Sequence, residues 1–422
     1  MLLFRYRKGD DKTSGNPNPN PAMRILFVHE RLGALAGAES NILAVGAELR
    51  RRGHGVGLVH GAATGFAEAA WREIFEPRFA IGGAGSAMAV RAAVAAHEPD
   101  VVFLHRMTDL SVIEALSSGA PPVARMVHDH DMYCMRGYKY RYFSRQICTR
   151  GASPYCVFPC GAVIGRGPGG LRPFKWVGYA AKIREISLNR RFARLIVASS
   201  YMRDELLRNG FDPKRIETHA PVPRGLPDAA PGAPSGGNLI VYSGQIVRGK
   251  GVDVLLEALA RVRIPFECEI LGDGRQRAAC EAMALRLGLG GRVQFRGFVS
   301  QAEVMNTYRR ATLAVMSSVW PEPFGAAGIE AMRSGLPVVA FDAGGIREWL
   351  IDGENGFLVP WMDRDRFAQR VETLLLDKPL ARRLGESGRR WADERFSFEG
   401  YINGLEGLLA RVAAGSPAPV TS

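Results

Sequence analysis

Two glutamates, Glu322 and Glu330, lie eight residues apart within the segment PEPFGAAGIEAMRSGLPVVAFDAGGIREWL at 321–350. The alanine-rich stretch between them predicts the start of a helix, whose first N–H groups have no intrahelical partner and attract anions. Carboxylates accept hydrogen bonds from sugar hydroxyls. An anion site between two carboxylates therefore indicates a ligand with both phosphate and hydroxyl groups, and a nucleotide sugar fits. The backbone that would hold the phosphate belongs to Phe324, Gly325 and Ala326.

A basic loop upstream strengthens the anion-binding prediction. The run SGQIVRGKG at 243–251 follows a strand predicted at 238–242 and precedes a helix predicted at 252–260. A glycine-flanked lysine at such a junction can reach a phosphate while neighbouring backbone N–H groups donate hydrogen bonds. The spacing is not that of a P-loop. The donor-binding candidates in this loop are Gln245, Arg248 and Lys250.

Two further turns in the C-terminal half carry glycine. They lie at 272–274 and 297–300, and each follows a predicted strand. Because the carboxyl ends of parallel strands share one edge of a sheet, these turns should line the same crevice as the loops above. They add Gly274 and Phe298 to the donor-binding candidates.

The N-terminal half also alternates strands with helices, which predicts a doubly wound α/β fold. Gly37, in the glycine-rich turn after the first strand, is a candidate ligand contact, and a plain tight turn is the alternative. His105 and His128 fall at strand ends, where this fold binds ligands. His128 is the better functional candidate, although a structural role is the common one for a lone histidine. The strands are predicted at 24–29, 55–60, 100–105, 122–128 and 195–199, and helices at 88–97 and 174–191.

The chain has 422 residues, which predicts two domains of roughly 200 residues each. A proline- and glycine-rich stretch without periodicity marks the linker between them. The predicted organisation is a disordered tail at 1–22, a first domain at 23–222, a linker at 223–237, a second domain at 238–395, a final helix at 396–414 and a flexible tail at 415–422.

The formal net charge of +13 and the pI near 9.7 predict an anionic partner. The basic residues are spread along the chain without a nucleic-acid-binding motif, so nucleic acid is not expected. The helix predicted at 174–191 mixes basic and aromatic residues, as helices on anionic membranes do, and an ordinary surface helix is the alternative. Without an apolar run of about 18 residues or a secretion signal, the protein is expected in the cytoplasm, with the inner membrane face as a peripheral site.

Four of the six cysteines lie in a basic, tyrosine-rich insertion at 134–160. Clustered thiols in a cytosolic chain are a candidate structural zinc site. Only one pair has a spacing familiar from zinc sites, and reduced packing thiols or an occasional disulfide are the alternative. The four are Cys134, Cys148, Cys156 and Cys160.

The motif E-P-F-G-x4-E-A-M-x2-G-x-P-V-V-A at 322–340, followed by G-G-x2-E and G-x2-G-x-L-V, resembles the retaining GT-B glycosyltransferases of family 4 (glycosyl transferases group 1). The resemblance spans about residues 23–412. It implies two Rossmann-like doubly wound domains that face each other across a cleft, with a C-terminal helix crossing back to the first domain. The first domain would bind the acceptor, and the second would bind the nucleotide sugar.

The resemblance also implies roles for individual residues. Glu330 is similar to the carboxylate that holds the donor ribose, and Glu322 to the one that contacts sugar hydroxyls beside Phe324 and Gly325. Lys250 is similar to the lysine that binds the pyrophosphate. His128 is similar to the first-domain histidine that reaches the donor sugar. Whether Glu322 acts as a nucleophile is left open.

One position departs from the family pattern, because Gln245 stands where an arginine is usual. Arg248, three residues on, could supply the missing charge. No Asp-x-Asp metal cluster is expected in either crevice. Fixed cations should therefore replace a divalent ion and stabilise the departing diphosphate, so no metal ion or cofactor is expected for catalysis.

The implied activity is transfer of a sugar to a glycan or lipid-linked acceptor with retention, in surface polysaccharide or glycolipid synthesis. The alternatives are a sugar-nucleotide epimerase or hydrolase of the same architecture, and a non-catalytic sugar-nucleotide-binding protein.

Overall fold

The computed structural model describes residues 21–33, 37–119, 121–166, 174–176, 178–224 and 237–415. Over these residues the chain forms two large parallel sheets, each covered by helices. The predicted N-terminal tail and interdomain linker lie almost wholly outside the described residues, and so does most of the predicted C-terminal tail.

The first sheet has seven strands in the order β3-β2-β1-β4-β5-β8-β9, and every pair is parallel. Its central strands β4, β5 and β8 are wholly buried, as apolar runs in parallel sheets are expected to be. The order reverses between β1 and β4, which makes this the topological switch point of the sheet. The strands are β1 (Arg24–Leu32), β2 (Gly55–Ala63), β3 (Arg78–Ala80), β4 (Val101–Leu104), β5 (Val123–Val127), β8 (Arg194–Val197) and β9 (Ile216–Thr218).

Helices cover both faces of this sheet. Helix α1 places Ile42, Val45 and Leu49 on one buried face, which is the spacing expected of an amphipathic helix packed on a sheet. The described helices of the first domain are α1 (Gly37–Arg51), α2 (Glu68–Ile74), α3 (Ser86–His97), α4 (Leu110–Ser117), α5 (Tyr179–Asn189) and α6 (Ser200–Arg208).

The segment predicted as a helix at 174–191 is split in the structure. Phe174–Trp176 forms strand β7, which pairs antiparallel with β6 (Ile164–Arg166), and the helix α5 begins only at Tyr179. The aromatic residues at its start favour a strand, and a glycine lies immediately before the helix. Helix α5 buries Ile186 and Leu188. None of the helices that the structure describes is long and apolar enough to cross a membrane.

The second sheet has six parallel strands in the order β12-β11-β10-β13-β14-β15. Its switch point lies between β10 and β13. The strands are β10 (Leu239–Ser243), β11 (Glu267–Leu271), β12 (Val293–Gly297), β13 (Leu313–Met316), β14 (Val338–Phe341) and β15 (Gly356–Val359). The helices are α7 (Val252–Leu259), α8 (Arg277–Arg286), α9 (Gln301–Arg310), α10 (Ala326–Arg333), α11 (Arg364–Leu376) and α12 (Lys378–Arg395).

The last helix, α13 (Phe398–Ala413), returns to the first domain. Its apolar side chains, including Leu405 and Leu409, share a buried cluster with Phe27 and Met126 of the first sheet. Glu406 of the same helix forms an ion pair with Arg52 at 2.8 Å. The expected crossing of the C-terminal helix to the first domain is therefore confirmed.

Candidate active site

The loops after β10 and β13 meet at the switch point of the second sheet. The N–H groups of Val319 and Trp320 both donate to the carbonyl of Gly249, at 2.9 and 3.0 Å. Gly251 has φ +66°, and a Cβ at this position would lie 2.1 Å from the carbonyl oxygen of Ser317. Backbone contact this close requires glycine, so the two loops are fixed against each other.

This contact brings Lys250 and Glu322 together, as the sequence predicts. Lys250 Nζ donates to Glu322 Oε1 at 2.7 Å, and the Nε1 of Trp320 donates to the same oxygen at 2.9 Å. The hydroxyl of Ser318 is a third donor to Oε1. None of these three donors contacts the second carboxylate oxygen, Oε2.

Glu322 is only 2% exposed, yet its pKa is lowered from the ordinary value. Burial alone would raise this pKa, but the charge of Lys250 and the hydrogen bonds from Lys250, Ser318 and Trp320 outweigh it. Glu322 is therefore ionised at neutral pH and forms a compact ion pair with Lys250.

The backbone of Glu322 is held by two hydrogen bonds to the loop after β14. Its N–H donates to Ala343 O at 3.1 Å, and its carbonyl accepts from Gly345 N at 2.7 Å. Gly344 has φ +69°, and a Cβ there would lie 2.4 Å from the carbonyl oxygen of Glu322. The glycine pair at 344–345 thus makes room for Glu322, and its second glycine begins a short 3₁₀ turn, Gly345–Glu348.

Helix α10 begins within the motif, with Gly325 as its N-cap residue and Ala326 as its first residue. The N–H groups of its first turn are the ones predicted to bind the phosphate. The side chain of Phe324 is buried against Phe396, with ring centroids 5.4 Å apart, and its carbonyl accepts from Trp349 Nε1 at 2.7 Å. Phe324 therefore anchors the loop in the core, and its ring is not open to a ligand.

Glu330 lies one turn into α10 and has different neighbours from Glu322. Burial raises its pKa to about 7, and a hydrogen bond from Gln301 opposes this shift. The two predicted carboxylates therefore differ in charge at neutral pH, since Glu322 is ionised and Glu330 is partly protonated.

Arg248 shares the loop of Lys250 but contacts the first domain. Its guanidinium donates to the carbonyl of Tyr142 at 2.9 Å and lies 5.0 Å from the centre of the Tyr142 ring. Its Nε is buried without a hydrogen-bond partner among the described residues. The neighbouring Gln245 is exposed, and its carbonyl accepts from Tyr242 Oη at 3.0 Å.

The remaining donor-binding candidates lie near other strands. Gly37 is the first residue of α1 in the first domain, Gly274 follows β11, and Phe298 follows β12 with 89% of its surface exposed. The contact between Lys250 and Glu322 forms without them.

The first-domain candidate His128 is partly exposed and pairs with the buried His105. Its Nε2 lies 2.9 Å from Nδ1 of His105, and the rings are stacked with centroids 5.2 Å apart. Burial lowers the pKa of His128 to about 3, and burial also lowers the pKa of His105. Both imidazoles are therefore neutral at physiological pH, and the N–H of one ring donates a hydrogen bond to the ring nitrogen of the other.

His130 is the first-domain histidine that contacts the second domain, and sequence reasoning missed it. Its Nε2 lies 2.7 Å from the carbonyl of Pro321, so Nε2 must carry the proton. Its Nδ1 then accepts from the hydroxyl of Tyr133, also at 2.7 Å. Burial lowers its pKa, consistent with a neutral ring. The only sequence signal is its place two residues after His128, beyond the end of β5.

A second first-domain contact lies on the other side of Glu322. Ser199 Oγ donates to the carbonyl of Pro323 at 2.6 Å. The next residue, Ser200, donates its N–H to Glu348 at 2.9 Å. His130 and Ser199 therefore hold the residues immediately before and after Glu322.

Asp129 and Asp131 form an Asp-x-Asp triplet, so the expectation that neither crevice carries such a triplet is wrong. Arg106 lies between their carboxylates, at 3.7 Å from Asp129 and 2.6 Å from Asp131, and also forms an ion pair with Glu30 at 2.9 Å. Burial and the charge of Asp129 raise the pKa of Asp131 to about 6. These carboxylates make an ionic cluster at the carboxyl edge of the first sheet.

The structure does not bring the four insertion cysteines together. All four are free thiols, and no group of three or more His, Cys, Asp or Glu in the described part of the chain is placed to hold a metal ion. The insertion is instead held by Lys139, which pairs with Glu205 of α6 at 2.8 Å, with both side chains almost fully buried. The zinc site predicted from clustering in sequence is therefore not formed in this structure.

Two family models match the chain. Glycosyltransferase Family 4 matches residues 35–221, and Glycosyl transferases group 1 matches residues 228–391. The first match covers most of the seven-stranded sheet, and the second covers the six-stranded sheet with its Lys250 and Glu322 loops.

Curated relatives match part of the chain. The lipopolysaccharide core biosynthesis glycosyltransferase LpsE of Rhizobium meliloti is 33% identical over 177 residues, which is 42% of this chain and 51% of LpsE. A D-inositol 3-phosphate glycosyltransferase of Streptomyces bingchenggensis is 31% identical over 229 residues, or 49% of this chain and 50% of the relative. The chain thus spans about half the length of the curated relatives it matches.

Solved structures share the whole fold. Anabaena HepE, crystallised with UDP and glucose, has a TM-score of 0.69 at 21% identity and covers 92% of this chain and 99% of its own. Sucrose-phosphate synthase from Thermosynechococcus elongatus has a TM-score of 0.71 at 18% identity, with 93% and 100% covered. With both halves matched by family models and two Rossmann-like sheets in place, the chain belongs to the GT-B glycosyltransferases of the family 4 type.

Proposed function

We propose that this protein transfers a sugar from a nucleotide-diphosphate sugar to an acceptor hydroxyl, with retention of configuration. The observation that carries the proposal is the contact between Lys250 and Glu322 at the switch point of the second sheet, beside the N-terminus of α10. This is the position where open α/β sheets bind ligands, and it combines a cation, unpaired N–H groups and a carboxylate.

The proposed chemistry follows from charge. Departure of the nucleoside diphosphate builds negative charge on its phosphates, and Lys250 with the N-terminus of α10 should bind that charge more strongly than the ground state. No divalent ion is required on this account, because these groups are fixed in place. Arg248 lies in the same loop, and its positive charge would offset the glutamine at position 245.

The two glutamates have separate proposed roles. Glu322 Oε1 already accepts three hydrogen bonds, and Oε2 would accept from hydroxyls of the transferred sugar. Glu330 would accept from the ribose hydroxyls in its ionised form. The backbone of Gly325 and Ala326 would contact the phosphates, and Gly274 and Phe298 would border the nucleotide.

The first domain would bind the acceptor and complete the sugar site. His128 remains the candidate for the sugar contact, because both ring nitrogens of His130 are already engaged. The bond to His105 uses His128 Nε2, which leaves Nδ1 for a ligand. Gly37, at the start of α1, would lie at the same edge.

The biological setting is proposed from the relatives. LpsE acts in lipopolysaccharide core synthesis, and HepE was crystallised with UDP-glucose. A glycan or lipid-linked acceptor in surface polysaccharide or glycolipid synthesis is therefore proposed, with the enzyme in the cytoplasm at the inner face of the membrane.

A donor screen tests this function. Thermal shift with uridine, guanosine and adenosine diphosphate sugars should show stabilisation by one nucleotide class. The donor it identifies is then incubated with candidate acceptors, and ¹H NMR of the anomeric proton should show retained configuration. Chelation with EDTA should leave the rate unchanged. Epimerisation or fast hydrolysis without an acceptor would favour the rival enzyme classes, and binding without turnover would favour a non-catalytic protein.

A further inference from the structure

The insertion at 134–160 sends one hairpin toward the second domain. This insertion hairpin, residues 139–148, is closed by Cys148 N donating to Lys139 O at 2.8 Å and by an antiparallel bridge between Tyr140 and Ile147. Its tip turns at Arg145, which has φ +59°. A closed turn of this kind presents its tip residues in a fixed direction.

The hairpin tip contacts the second domain on both sides of Lys250. Arg248, two residues before Lys250, donates to the carbonyl of Tyr142 at 2.9 Å and lies over its ring. Asp253, three residues after Lys250, accepts from both terminal nitrogens of Arg145, one of them at 3.1 Å. The Arg145 side chain is 12% exposed. A two-point guanidinium–carboxylate contact fixes orientation as well as distance.

The base of the hairpin is fixed to the first domain. Lys139 and Glu205 form an ion pair with side chains 2% and 0% exposed. Removing one partner of such a pair leaves a buried charge uncompensated, so the base does not move freely. The hairpin therefore connects α6 of the first domain to the loop of Lys250 in the second.

We propose that Tyr142 and Arg145 are positioning residues of the donor site, acting through Arg248 and the first turn of α7. Tyr142 holds the long Arg248 side chain in one place, so less conformational entropy is lost when Arg248 meets a diphosphate. Arg145 neutralises Asp253, whose carboxylate would otherwise repel the diphosphate at the start of α7. This inference rests on the proposed function, since it assumes that the Lys250 loop binds a diphosphate.

Four variants test this role. Arg145→Gln removes the charge, Tyr142→Ala removes the ring, and Tyr142→Phe keeps the ring. Arg184→Gln is the matched control, because Arg184 forms an exposed ion pair with Glu114 within the first domain. Calorimetric titration uses whichever of UDP, GDP and ADP the wild type binds most tightly, and donor kcat and KM are measured alongside.

Arg145→Gln and Tyr142→Ala should each weaken diphosphate binding about fivefold and raise donor KM by a similar factor. Tyr142→Phe and the control should stay within about twofold of wild type. If a variant lowers only the melting temperature and leaves affinity and KM unchanged, the hairpin merely joins the two domains, and the proposal is overturned. If wild type binds none of the three diphosphates, the proposed function itself fails, which is a separate result.

Discussion

The carboxyl edges of the two sheets are built alike but carry different groups. In the second sheet, the loops at the switch point bring Lys250 and Glu322 into a charged contact. In the first sheet, the corresponding edge holds the neutral pair of His105 and His128, next to the ionic cluster of Arg106 with Asp129 and Asp131. A similar strand order thus supports a lysine–glutamate pair in one domain, and neutral imidazoles beside a largely acidic cluster in the other.

This difference indicates how the two domains divide the work. A diphosphate requires fixed positive charge, and in the proposed function the second domain would supply it from Lys250 and the start of α10. A histidine whose pKa is lowered to about 3 stays neutral and does not compete for the diphosphate. It can still exchange hydrogen bonds with hydroxyls, which suits the sugar and acceptor contacts proposed for this domain.

The largest effect on catalysis is expected from Lys250 in the second domain. Lys250→Ala should lower kcat about 10³-fold, because the cation acts mainly on charge that develops as the diphosphate leaves. Donor affinity should fall far less, by about tenfold. Steady-state kinetics with Lys214→Ala, an exposed lysine of the first domain, provide the control. If Lys250→Ala turns over at the wild-type rate, Lys250 has no catalytic role in the donor site.

A smaller effect is expected where the first domain touches the second. His130→Ala removes the donor to Pro321 and loosens the loop of Glu322, so kcat should fall about tenfold with little change in diphosphate affinity. His60→Ala, another first-domain histidine, is the matched control. A lower melting temperature with normal kcat would mean that His130 only joins the domains.

The pH dependence of donor binding should be the smallest effect and should come from Glu330. Its pKa is raised to about 7, so its carboxylate form is lost as pH falls through neutrality. Donor KM should therefore be about eightfold higher at pH 6 than at pH 7.5. Glu330→Gln should flatten this dependence, while Glu386→Gln, an exposed glutamate on α12, should not. A wild-type KM that is constant across this range would exclude the ribose role.

Much of the fold could be predicted because short sequence patterns determine where its strands and turns lie. Apolar runs of four to six residues followed by glycine turns locate the strands of both sheets. The motif around Glu322 also locates the second carboxylate, Glu330. The pairing of Lys250 with Glu322 also follows, since their loops end neighbouring parallel strands.

The contacts between the domains could not be predicted in the same way. His130 and Ser199 bond backbone carbonyls of Pro321 and Pro323, and a carbonyl acceptor leaves no signature in the side-chain sequence. The contact of Arg145 with Asp253 joins residues 108 positions apart. The cysteine prediction failed for a related reason: the four thiols are close in sequence, but no three of them meet in the described part of the chain.

A complex with the best-bound nucleoside diphosphate tests the central claim most directly. A crystal structure should place a β-phosphate oxygen within hydrogen-bond distance of Lys250 Nζ, against the first turn of α10, with the ribose beside Glu330. A diphosphate bound instead at the ionic cluster of Arg106 in the first domain would contradict the assignment of the donor site.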